Sequence, residues 1–269
     1  MKNVLLLVHD DEGQEARLQA ALDLTRALAG HLSCIDVSLM PVFVGDYYSG
    51  YYGGACEAQL LADERAREGD NKSRLTERLA NEDVPWDWDD TTSTIAEAVL
   101  DRALLADIVV LNRRLDKGAM PDMADAASRI LMHARVPVLA MPAGARGLGT
   151  DRALVAWDGH ASSAATLRAC VPLLARARQV DILMVRDREE RLPPDEAARY
   201  LSRYGIHADI RIVPGGETPV DRVILAEAQG LGSDYVVMGA YGRGRLREAF
   251  GGVTRRMLAG APLPLVLGH

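Results

Sequence analysis

The sequence predicts an α/β protein of two tandem Rossmann-like or flavodoxin-like domains, each a five-stranded parallel sheet with helices on both faces. Three observations predict it. Apolar runs of strand length alternate with helical stretches, the pattern of right-handed βαβ units whose sheet is covered on both sides. That alternation occurs twice along the chain. A glycine-rich segment, Ala143 to Gly149, lies between the two occurrences and reads as a linker, giving domains over 1–143 and 150–269.

The repeat is visible residue by residue. Asn3 to Asp10 matches Arg152 to Asp158 at an offset of 148, an apolar strand ending in an acid each time. Ala106–Leu111 matches Ser233–Met238 and Val136–Leu139 matches Leu263–Val266, both at an offset of 127. The first copy therefore carries 21 extra residues between its first and fourth strands.

In the second copy the apolar run at 152–157 predicts the first strand, and the stretch Ser162–Arg178 predicts the helix that covers it. Strand Asp181–Val185, helix Asp195–Tyr204 and strand Ala208–Val213 follow. Helix Val220–Gly230 leads into the apolar strand Tyr235–Met238, and helix Thr254–Ala259 into strand Leu263–Leu267. The insertion in the first copy holds Phe43 to Gly54, with four tyrosines among glycines. Such a surface suits aromatic anchoring of a partner, or it packs as a long loop on its own sheet. Cys56–Leu79 reads as a charged amphipathic helix with a solvated polar face.

Composition narrows the class. The chain has 269 residues, 48% of them hydrophobic, and a net charge of −7. No basic face dominates, which argues against nucleic acid or an anionic membrane as partner. The apolar run Val4 to Val8 is too short for a signal peptide, so a cytoplasmic protein is expected. Cys34, Cys56 and Cys170 show no metal or redox spacing and read as buried reduced thiols. His9, beside Asp10 and Asp11, reads as a polar strand terminus.

The segment after the fourth strand of the second copy carries the chemistry. Met238, Gly239, Gly242, Gly251, Gly252, Val253 and Thr254 lead from the strand to the next helix. Glycine lets an anion approach the backbone, and a helix N-terminus offers free N–H groups and a favourable dipole. Arg243, Arg245 and Arg247 fall in the same loop, where a guanidinium could clamp phosphate oxygens or pair with Glu248 in solvent.

These residues resemble the nucleotide-binding motif of the universal stress protein family: Gly, two residues, Gly, nine residues, then Gly, Ser or Thr, Val, and Ser or Thr. Gly239, Gly242 and Gly251 match the glycines, and Val253 and Thr254 close the pattern. Eight residues rather than nine separate Gly242 from Gly251, and Gly252 stands where a hydroxyl is usual. The resemblance covers nearly the whole chain as two copies of that α/β fold. It implies an adenine nucleotide, ATP foremost, with Mg²⁺ left open, and a stress-response regulatory role. It also implies that Asp158 contacts the adenosine part, the alternative being a turn acid that caps the next helix. Val185 is either beside adenine or simply core. In the first copy Asn112, Leu115, Ala124, Asp125 and Ala127 replace the glycines and the threonine, so nucleotide binding is expected in the second copy alone.

A Walker A lysine motif, a Gly-x-Ser-x-Gly elbow and a His-Glu-x-x-His helix are all missing from the sequence, and no nucleophile is paired to a base. The alternatives to a nucleotide-binding regulator are a nucleotide-free interaction module and a very slow ATPase. The apolar strands Val136–Met141 and Leu263–Leu267, with Pro137 and Pro264 near their starts, suit a contact between the copies as an intrachain pseudo-dimer. Whether two chains associate further stays open.

Overall fold

The computed structural model of the chain describes residues 1–39, 66, 68–112, 123–186, 192–240 and 252–269. In the first half the order is β1 (Asn3–Val8), α1 (Gln14–Leu28), β2 (His31–Leu39), α2 (68–79) and β3 (Trp86–Ser93), then α3 (Ile95–Ala103), β4 (Ile108–Asn112), α4 (Met123–His133) and β5 (Val138–Met141). The second half runs β6 (Arg152–Ala156), α5 (Ala161–Ala169), α6 (Val171–Leu174), β7 (Gln179–Arg186) and α7 (Pro194–Ser202). It continues through β8 (Ala208–Pro214), α8 (Val220–Leu231), β9 (Tyr235–Gly239), α9 (Gly252–Gly260) and β10 (Leu265–Gly268).

All ten strands form one sheet in the order β3-β2-β1-β4-β5-β10-β9-β6-β7-β8. Within each half the pairing is parallel, and both halves share one strand order. Period-2 alternation sends Leu6, Val155 and Val237 to one face and Leu5, Val109, Leu154 and Val236 to the other. On the first face they meet Leu22 of α1, Leu79 of α2, Leu167 of α5 and Leu201 of α7. On the second they meet Val99 of α3, Ile130 of α4, Ile224 of α8 and Met257 of α9. Each half is thus a five-stranded parallel sheet sandwiched by helices.

The halves join through β5 and β10, which pair antiparallel: Leu265 with Ala140, Val266 with Leu139, Leu267 with Val138. These strands are the centre of the sheet rather than its edges, which among the described residues are β3 and β8. Pro137 and Pro264 sit just before the strands, and their carbonyls still accept from the backbone N–H groups of Val109 and Val236 at 3.0 Å. Because the seam is antiparallel, the carboxyl ends of the strands point opposite ways in the two halves.

Two expectations need correction. The helix read over Ser162–Arg178 is two helices, broken at Cys170, where ψ is 0°. Pro172 has no N–H to give the ladder, and its ring crowds the preceding turn. The repeat offset at the first strand is also off by one. Val4 pairs with Ile108 and Ala153 with Tyr235, so His9, not Asp10, stands opposite Asp158 in register.

The Tyr/Gly stretch 43–54 and Cys56 lie outside the described residues. Cys34 and Cys170 are buried free thiols, and burial pushes the pKa of each up to about 12. No helix among the described residues is long and apolar enough to cross a membrane.

Candidate functional site

In the second half β6 pairs with β7 on one side and β9 on the other, so the strand order reverses there, and in open α/β sheets the crevice for a ligand lies at the carboxyl ends of such strands. Ala156 pairs with both Leu183 and Met238. Asp158, two residues past Ala156, and Val185, two past Leu183, continue those rows at the sheet's edge. Met238 is buried, whereas Val185 is half-buried.

Asp158 caps a helix. Its Oδ1 accepts hydrogen bonds from the His160 backbone N–H at 2.9 Å and the Ser163 hydroxyl at 2.7 Å. His160, the residue that opens α5, provides no side-chain cap itself. Asp158 is nevertheless exposed to solvent.

Gly239 has a packing cause. A Cβ there would lie 2.6 Å from the Ser163 backbone nitrogen and 2.8 Å from Ser162 Oγ. The side-chain position of Gly239 is therefore filled by the N-terminus of α5, not left open for a phosphate. Ser162 Oγ and His160 Nε2, both at that N-terminus, are buried without a hydrogen-bond partner.

Gly252, Val253 and Thr254 form the first turn of α9. Thr254 is buried, Val253 is packed on the core, and Gly252 is exposed. The first N–H groups of any helix lack intrahelical partners, so this turn is an anion-ready terminus. Arg256 lies over it, its Nη1 2.8 Å from the position a Gly252 Cβ would take. Its Nε donates to Asp221 Oδ1 of α8 at 2.6 Å, and Asp221 is buried. Sequence reading missed Arg256, since the partner that aims it lies on another helix. Gly242, Arg243 and Gly251, with Arg245 and Arg247, lie outside the described residues.

The first half closes the equivalent place from within. Asn112, the counterpart of Gly239, packs against Gly13, where a Cβ would lie 2.6 Å from Asn112 Nδ2. The small residue has moved from the strand to the turn before the helix. Asp11 does the capping, accepting from the Gly13 N–H at 2.6 Å, and it also binds Nη1 of Arg17 through both oxygens at 2.9 Å. Arg17 is fully buried and donates further to the carbonyls of Leu7 and His9. Burial pulls its pKa below the usual arginine value, with Asp11 opposing. Asp125 is exposed on the first turn of α4, and Ala127 is buried where Thr254 stands in the other half. His9, read as a polar strand terminus, is buried with Nδ1 3.0 Å from Glu68 Oε1.

Comparison of the whole chain with solved structures identifies the architecture. A universal stress protein from Archaeoglobus fulgidus superposes with a TM-score of 0.70 at 14% identity, over 99% of this chain and 95% of that one. The fold is that of a universal stress protein. A functionally unknown protein from Pseudomonas aeruginosa superposes with a TM-score of 0.57 at 16% identity, over 99% of this chain and 92% of that one. No protein-family model and no curated protein matches the chain.

Proposed function

We propose that the chain is a regulatory protein of the universal stress type that binds one adenine nucleotide, ATP foremost, in a C-terminal domain spanning 150–269. The observation that carries the reading is the first turn of α9. It lies in the same half as the crevice that Asp158 and Val185 border, and it combines the exposed Gly252, the buried Thr254 and the guanidinium of Arg256. The dipole and N–H groups of α9 suit a phosphate, and Arg256, anchored by Asp221, adds a charge-assisted donor. Ser162 Oγ and His160 Nε2 supply further unused polar atoms at the neighbouring helix terminus. Gly239 contributes packing rather than ligand space in this scheme. By the motif, Gly242, Arg243 and Gly251 are assigned to the same phosphate site, with Mg²⁺ left open. The 1–143 domain, with Asn112 and Arg17 filling its counterpart crevice, binds no nucleotide, and the protein works in the cytoplasm.

The rival reading, a nucleotide-free interaction module, draws on the two positions already engaged in structure, Gly239 and Asp158. Calorimetry with ATP and Mg²⁺ on the full chain separates the two. One site per chain, weakened at least tenfold by Arg256→Gln, supports the proposal. No heat with any adenine nucleotide hands the case to the interaction module. Steady phosphate release at ordinary enzyme rates, roughly 1–10³ s⁻¹, would instead make the protein an ATPase.

A further inference from the structure

The first half holds a cavity of its own, on the α2 side of the sheet, with a volume of about 310 Å³. Asp36 and Ser38 of β2, Asp90 and Thr91 of β3, and Glu68 and Gly69 of α2 line it. Among the described residues that line it are three carboxyl groups and one ammonium, that of Lys72. Lys72 is turned to Asp90, with which it forms an ion pair, and to the ring of Trp88, whose centroid is 5.7 Å from Nζ. Glu68 is backed by His9.

Asp36 stands apart. It is 4% exposed, and its Oδ1 is buried without a hydrogen-bond partner. An unpaired buried carboxylate is among the costliest groups a fold can carry, and such groups are ordinarily paired. Gly69 is the second anomaly. A glycine inside a helix weakens it relative to alanine. Among the described residues no neighbouring atom requires it, because a Cβ there would meet nothing within 4 Å. Its effect is to keep the cavity wall open.

We propose that this cavity binds a small aliphatic amine, with Asp36 as the counter-ion of its primary ammonium group. An ammonium has three donors, which Asp36 and the hydroxyl of Ser38, two residues on and on the same face of the sheet, can accept. A metal ion suits the lining less well. Among the described residues no three carboxylate, histidine or thiol groups converge as an ion's coordination shell requires. The volume is at the small end of ligand sites, which run from about 300 to 1,000 Å³.

Protonation supports the assignment. Burial, then Glu68 and Asp90, push the pKa of Asp36 up to about 7, while His9 and Lys72 pull it down. An amine remains cationic through this range and binds the deprotonated carboxylate, so affinity should rise with pH.

The test is calorimetric titration of the full chain with 1,4-diaminobutane. Saturable binding is expected, about tenfold tighter at pH 8 than at pH 6, because the ionised fraction of Asp36 changes by that factor around pH 7. Asp36→Asn should weaken binding at least tenfold at pH 8. Gly69→Val grows into open space, leaves the fold intact and should weaken binding comparably. Three results would overturn the proposal: no saturation up to about 10 mM, a weaker limit than that of a specific site; variants that bind as well as the parent; or calcium chloride saturating the site and displacing the amine, which would make it a metal site.

Discussion

Gly239→Ala separates two explanations of one glycine. If the residue serves packing, the added methyl collides with the N-terminus of α5, because its Cβ would sit 2.6 Å from the backbone nitrogen of Ser163, where ordinary contact starts at 3.4 Å. The obstacle is main chain, so no rotamer change relieves it and α5 must shift. Overpacking of this kind costs about 1–3 kcal/mol. The φ of Gly239 is not in the left-handed region, so alanine also recovers about 0.4–1 kcal/mol from the unfolded chain. The net expectation is a loss of about 1–2 kcal/mol, read in urea as a lower midpoint with unchanged slope. The nucleotide affinity of the folded fraction should hold within about threefold, which is less than about 1 kcal/mol. The first half provides the mirror experiment. Gly13→Ala should destabilise for the same reason, and Asn112→Gly should restore it, since there the obstacle is the Asn112 side chain. A Gly239→Ala protein as stable as the parent but unable to bind nucleotide would refute the packing account and return Gly239 to the ligand.

Two further outcomes follow from buried polar groups. Arg17→Met strands Asp11 and the carbonyls of Leu7 and His9, and breaking such a buried pair costs about 3–5 kcal/mol; chemical denaturation should show that loss undiminished in 0.5 M salt. Tyr235 is fully buried and its hydroxyl has no partner, so Tyr235→Phe should be neutral or stabilising by about 1 kcal/mol, and a melting temperature clearly below the parent's would show that the hydroxyl is satisfied.

Most of the architecture was legible because strand and helix leave different periods in the chain. Apolar Val109 and Val110 or Val236 and Val237 cannot serve a one-sided sheet, so they announce a parallel sheet covered on both faces. The matched terminal strands anticipated the seam. What failed was anything decided by a distant neighbour. Gly239 looks the same in sequence whether its empty side chain admits phosphate or a helix end. The offset slipped by one because the turn between β1 and α1 differs in length from that between β6 and α5, which one aligned acid cannot reveal. Arg256 finds Asp221 35 residues earlier, and the Asp36 cavity draws on β2, α2 and β3. Only the break at Pro172 was available and overlooked.

The antiparallel join of β5 to β10 has an evolutionary corollary. When two identical subunits meet across a twofold axis, every substitution is made twice and both sites must tolerate it. Here the two sides of the axis are encoded separately and tethered, so the pairing survives any dilution and each side answers to its own residues. Asn112 and Arg17 could settle on one side where Gly239 and the Asp158 turn persist on the other. Duplication with fusion thus converts a symmetric interface into a licence for one copy to take up different work.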